Sequence, residues 1–262
     1  MRVVQYETRE AWLNARLGKI TGSALKDVVN LRDGDTKAGV WATAAESIIG
    51  SAAIAENELT SAQTMERGHV LEPDAVRRFE KETGKKVKRG FLLWEREDDS
   101  RMAVSPDGMI GKTEAIEVKC LLSPKHAEAL YSRAIPKNTG GYYEQVLQYF
   151  IVNEGLKTLY YAFYHPDFPA GLDFFFLTFT RKELAKDIEK YLVAEREAVA
   201  KVREIVNHLT LYSPDEVRKV EAAKAELLAG AQGAHSEAVA AISQTITKKA
   251  SKSRVTSKSD PI

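Results

Sequence analysis

A chain of 262 residues with 44% hydrophobic content can bury the core of one large domain, or of a domain with an appendage. Its 38 basic and 37 acidic residues leave a formal charge of +1, which excludes a global field steering it to nucleic acid or membrane. A nucleic-acid surface must then be a local patch, and the single cysteine, Cys120, excludes an internal disulfide and a multi-cysteine zinc site. Residues 1–6 lack the apolar run of a signal peptide and no stretch approaches membrane-spanning length, so a soluble intracellular protein is expected.

In chain order, a first helix fits residues 9–17, with Thr8 as its cap and Gly18 past its end. A second begins near Thr21-Gly-Ser23 and carries Leu25, Val28 and Val29; residues 30–39 are a polar, glycine-marked loop. Alanine-rich residues 40–58 read as helical. A further helix runs through Leu71, Ala75, Val76 and Phe79, with Pro73 opening or kinking it and Gly84 ending it. Residues 91–94 read as a strand. Ser123-Pro124 opens a helix to about residue 133, and residues 140–153 form another. Residues 158–164 and 172–179 are aromatic-rich strands whose near-continuous apolar character predicts a sheet covered on both faces. A long helix spans residues 181–207, with Leu184, Ile188, Leu192, Val199 and Val202 on one face. The fold class is α/β (α+β), a central mixed sheet flanked by helices, over residues 1–211. Residues 212–250 read as an alanine-rich helical extension opened by the capping box at Ser213, and 251–262 as a disordered basic tail.

The stretch from Arg101 to Lys119 carries the chemistry. Asp107 lies in a Ser105-Pro-Asp-Gly108 turn, and on the strand 115–119 the side chains alternate. Ile116 and Val118 face one way, Glu117 and Lys119 the other. A hairpin with a salt bridge on its solvated face fits this pattern, and so does a hard-cation site with a lysine beside it. Asp107, Glu117 and the Val118 carbonyl offer oxygen donors suited to Mg²⁺, which lowers the pKa of a bound water and stabilises charge on a phosphoryl oxygen. Lys119 can orient or deprotonate that water, or stabilise the developing charge. The set suits phosphodiester hydrolysis. Cys120 reads as a small buried residue at a strand end rather than a nucleophile, having no histidine near it in sequence.

Five ordered words extend this motif: residues 11–23 (AWLNARLGKITGS), 66–72 (ERGHVLE), 105–108 (SPDG), 117–119 (EVK) and 142–145 (YYEQ). Asp107 with Glu117-Val118-Lys119 resembles the PD-(D/E)xK nuclease signature. The set of words resembles the lambda-exonuclease or YqaJ-type viral recombinase family over residues 8–180. The resemblance implies a restriction-endonuclease-like core and a metal-dependent 5′→3′ exonuclease that digests one strand of linear duplex DNA. It implies two Mg²⁺ ions (Mn²⁺ substituting) on Asp107, Glu117, the Val118 carbonyl and Glu72, with Lys119 catalytic and Gln145 close by. Arg16, Ser23 and Ser105 resemble the pocket for the 5′-phosphate, Tyr142 stands beside Gln145, and Arg32 in the polar loop is a DNA-groove candidate. Implied partners are 5′-phosphorylated linear duplex DNA, a single-strand annealing protein and other copies of the chain in a trimeric ring, in the cytoplasm of a bacterial host, with no membrane. Readings from other classes are an endonuclease on the same core and a catalytically silent DNA-end-binding module. Three features depart from the family: Leu147 where a second glutamine is common, Pro73 directly after Glu72, and the extension beyond residue 212.

Overall fold

The computed structural model describes residues 1–31, 34–50 and 59–211 (for 59–65, the backbone). A strand that the sequence did not announce comes first, β1 (Arg2–Tyr6). It exists through a partner about ninety residues away, β2 (Phe91–Glu95), to which it pairs antiparallel. Helix α1 (Arg9–Arg16) is capped as expected, the Thr8 hydroxyl accepting the Ala11 N–H at 3.2 Å. Only a single turn, α2 (Leu25–Val28), follows, its Leu25 and Val28 buried. Helix α3 (Ala38–Ile49) is shorter than the expected 40–58 because Gly50 turns left-handed at φ 66° and caps it; residues 51–58 lie outside the described residues. Helix α4 (Leu59–Thr83) contains Pro73 in its interior, so the proline does not open it. Gly84 ends α4 at φ 68° with its N–H on the Glu80 carbonyl at 2.9 Å.

Further strands are β3 (Ala103–Val104), β4 (Gly108–Ile110), β5 (Glu114–Lys119), β6 (Thr158–Tyr164) and β7 (Phe174–Thr180), with helices α5 (Ser123–Ser132), α6 (Tyr142–Val152) and α7 (Ala185–Leu211). They make two sheets rather than one. The first is antiparallel, β1-β2-β3, and the second is mixed, β4-β5-β6-β7, with β5 and β6 parallel. The parallel pair needs a crossover, supplied by α5 and α6 between them. An Ile20–Met102 bridge ties the segment after α1 to the strand entering β3.

Both faces of the mixed sheet are covered, as the unbroken apolar run of β6 predicts. Leu159, Tyr161 and Phe163 join a core with Tyr149, Phe150, Val199 and Val202 from α6 and α7. Tyr160 and Ala162 face the opposite way, into a cluster with Ala75, Val76 and Phe79 of α4. The same cluster takes Ile116 and Val118, so β5 shows its apolar side to α4 and its polar side to α6. That alternation places the chemistry.

A polar tie crosses the larger core. Gln148, fully buried, donates to the carbonyls of Ile20 and Ala103 at 3.1 and 3.3 Å and to Glu195 Oε1 at 2.7 Å. One amide thus joins α6 to α7 and to both strands of the Ile20 bridge. The family-like glutamine spacing is broken by Leu147, which is buried in the core. Residues Met1–His208 form one unit; of the second, only Leu209–Leu211 are described, the last residues of α7. The expected extension 212–250 and tail 251–262 lie outside the described residues. No helix among the described residues is long and apolar enough to cross a membrane.

Candidate active site

Glu117 sits mid-strand with its carboxylate buried, 3% exposed, instead of on the solvated face that a simple hairpin would give it. Three donors hold it. Lys119 Nζ and Gln145 Nε2 reach Oε1 at 2.7 and 2.6 Å, and the Tyr149 hydroxyl donates to Oε2. Gln145 and Tyr149 are one helical turn apart on α6, so a single helix face serves the carboxylate. Tyr149 went unnoticed in the sequence; its i+4 spacing from Gln145 was the available signal.

Asp107 arrives from the turn before β4. Its Oδ2 accepts the Val118 N–H at 2.7 Å, which pins the turn to β5 beside Glu117. Burial first, then the charges of Glu117 and Glu72, lift Asp107 well above the usual carboxylate range; the Lys119 ammonium and the Val118 N–H work against that shift. Three acids therefore feel one another here, which is the electrostatic condition that a bound cation relieves. Burial opposes charge on Lys119, yet Glu117 and Asp107 outweigh it and hold the ammonium above its ordinary pKa. Its Nζ also lies 4.8 Å from the Tyr142 ring centroid, within cation–π range.

Arg16 is drawn to the same place. Its guanidinium stacks 4.4 Å over Trp12; burial lowers its pKa, and the charges of Glu117 and Asp107 partly restore it. Gly22 lies against α6: a Cβ there would stand 3.0 Å from Gln145 Cγ and 3.4 Å from Val104 Cγ2. The Thr21–Ser23 turn is thereby pressed onto the site, with Ser23 exposed and its hydroxyl 3.5 Å from that of Thr21. Among the described residues the buried Ser105 Oγ has no hydrogen-bond partner, an acceptor and donor left for something else. Arg32 lies outside the described residues.

Glu72 is within electrostatic reach of Asp107 but is engaged elsewhere, with Arg89 at 2.6 Å and His69 Nδ1 at 3.9 Å. Among the described residues no three Asp, Glu, His or Cys side chains form a ready-made metal cage. The oxygen-rich set of Asp107 and Glu117 nonetheless suits a hard cation in kind, and Glu72 is a further acid whose charge Asp107 feels. Cys120 is no nucleophile: burial pushes its thiol up to about 12.

Arg67, inside one of the five words, has a role not foreseen. It donates to the carbonyls of Cys120 and Leu121 at 2.8 and 3.3 Å, tying α4 to the end of β5 one residue beyond Lys119. Arg67→Ala leaves both carbonyls without that donor, and the expected cost is about 1.5–3 kcal/mol in denaturant unfolding. An unchanged unfolding midpoint would remove the tie from the account.

A mixed sheet presenting two acids, a lysine and a helix-borne glutamine on one surface is a nuclease-type core. The chain belongs to the family of YqaJ-like viral recombinase domains, whose model matches residues 11–155, more than half its length. Among solved structures it is similar to the alkaline exonuclease LHK-Exo from Laribacter hongkongensis, at 26% identity and TM-score 0.60, over 78% of this chain and all of that one. LHK-Exo in complex with dAMP matches at 25% identity and TM-score 0.61 with the same coverage. A phage-related exonuclease from Haemophilus somnus 129PT shares the fold at 15% identity and TM-score 0.55, over 73% of this chain and 96% of that one. No curated protein matches the chain.

Proposed function

We propose that this protein is a divalent-metal-dependent 5′→3′ exonuclease that digests one strand of linear duplex DNA and leaves 3′ single strands for annealing. The observation that carries the reading is the joining of Asp107, Glu117 and Lys119 across β4 and β5, with Gln145 fixing the Glu117 carboxylate. Family membership and likeness to alkaline exonucleases support the reaction class.

In this reading Asp107, Glu117 and the Val118 carbonyl would hold Mg²⁺ or Mn²⁺, and Glu72 would be the further acid for a second ion. A cation so held would supply a water of lowered pKa and offset charge on the scissile phosphate. Lys119, held between Glu117 and the Tyr142 ring, is placed to orient the attacking water and to stabilise charge on the phosphoryl oxygens. Gln145 and Tyr149 keep the Glu117 oxygens aimed. Arg16, Ser23 and the unpartnered Ser105 hydroxyl receive the 5′-phosphate, Arg16 with a planar fork of donors. The nuclease domain is residues 1–211, and its partners are an annealing protein and two further copies in a ring, in the cytoplasm of a bacterial host.

Linear duplexes with and without a 5′-phosphate, and covalently closed circles, test this. With Mg²⁺, nucleotides are expected from the 5′ strand of the linear forms, faster with the phosphate, while circles survive. Nicked circles would favour an endonuclease; tight end binding with no nucleotide release would mark a silent end-binding module.

A further inference from the structure

A cavity of about 670 Å³ lies beside the candidate active site and not within it. It is a groove between the segment 133–141 and β7, floored by Ile135, Leu177 and Phe179 and closed at one end by Tyr142. Tyr142 is the shared wall, because Lys119 Nζ lies against the same ring. The segment over the groove is held in an unusual shape. Arg133 (φ 50°) and Asn138 (φ 56°) are the only non-glycine residues with positive φ among the described residues, and Gly140 and Gly141 follow at 68° and 99°. Left-handed backbone at a non-glycine residue costs on the order of 1 kcal/mol, so the surrounding structure must fix this shape. Lys26 helps to fix it: a Cβ on Gly141 would meet Lys26 Cδ at 2.4 Å.

The lining decides what fits. An apolar, aromatic floor takes the flat face of a ring, and an exposed Arg133 at the rim, its guanidinium 5.3 Å from the Phe175 ring centroid, offers a cation to a backbone phosphate. The nearby acids already have partners, since Tyr191 donates to Glu144 at 3.4 Å and Lys26 pairs with Asp27 at 2.5 Å. A base within a duplex hides its faces in the stack, so only unpaired nucleotides can use such a floor. We propose that this groove is a subsite for unpaired nucleotides of the strand being cut, seating their bases on Leu177 and Phe179 next to the scissile phosphate at Lys119. It rests on the nuclease reading above and adds where the strand runs.

Two variants test it. Arg133→Glu reverses the charge at the exposed rim without touching the core, and Phe179→Ala removes the aromatic floor. Binding of a labelled, 5′-phosphorylated five-thymidylate oligonucleotide is read by fluorescence anisotropy in EDTA, where no cleavage occurs. Each variant is expected to bind about tenfold more weakly or worse and to show a raised KM on linear duplex with kcat less affected. Wild-type affinity and KM in both variants would overturn the subsite. So would unchanged affinity with an altered sedimentation mass in Arg133→Glu, which would make the groove a contact between subunits. Failure of wild-type protein to release nucleotides from any DNA would sink the nuclease reading alone, since the anisotropy still reports on the groove.

Discussion

Lys119→Ala is expected to slow Mg²⁺-dependent nucleotide release by about a thousandfold or more while leaving the fold intact. The size follows from the position. A positioned donor or proton-transfer group at a developing charge is worth roughly 10²- to 10⁴-fold, and a lysine contributes full charge as well as a hydrogen bond. Lys119 is 17% exposed and is pressed between Glu117 and the Tyr142 ring, so no nearby solvent cation can easily take its place. Survival of the fold follows from the remaining partners of Glu117, for Gln145 and Tyr149 still satisfy both of its oxygens. A thermal midpoint within a few degrees of wild type, with single-turnover release lowered by the stated factor, is the expected pair of results. Lys119→Arg keeps the charge but replaces a compact ammonium with a planar fork, and it should recover only part of the rate. Release by Lys119→Ala at the wild-type rate would remove the lysine from the chemistry.

The part of this site that was legible in the sequence is the part governed by period. Alternation on β5 set Glu117 and Lys119 against Ile116 and Val118 before any partner was known, and the two clusters facing β5 obey it. Helix ends marked by Thr8 and Gly84 were likewise local matters. What could not be read is long-range. β1 becomes a strand only against β2, and the two-residue β3 only through β2 and the Ile20 bridge. Glu117 was expected on a polar face, but α6 covers that face, and burial turns a surface carboxylate into one with three dedicated donors. The pairing of Glu72 with Arg89 is of the same kind: seventeen residues and a helix end separate them, and no spacing rule links them. Gln148 is a further case: its partners Ile20, Ala103 and Glu195 all lie more than forty residues away, and no spacing in the sequence announces them.

Glu195, the end of that same tie, supports the second large prediction: Glu195→Gln should make the protein markedly more stable at alkaline pH. Glu195 is fully buried, and among the described residues its Oε2 has no partner. Burial pushes its pKa from 4.5 up to about 8, against the opposing pull of the Gln148 amide and the Arg96 charge. The sign follows. A raised folded-state value means that the native protein keeps a proton which the unfolded chain gives up above pH 4.5. Stability therefore falls as pH rises from 4.5 to about 8 and stays low beyond it. A shift of that size corresponds to roughly 4–5 kcal/mol, at 1.36 kcal/mol per pKa unit. For a domain of this length each kcal/mol moves Tm by about 2–4 °C, so the gap between variant and wild type at pH 9 should be on the order of 10 °C. The glutamine keeps the carbonyl that accepts from Gln148 and carries no charge to desolvate, so the penalty vanishes while the hydrogen bond remains. Denaturant unfolding of both proteins from pH 5 to pH 9 provides the measurement. The curves should lie close together at pH 5 and diverge steadily above it; parallel curves across the whole range would show that Glu195 ionises at no cost and that the buried tie is not protonated.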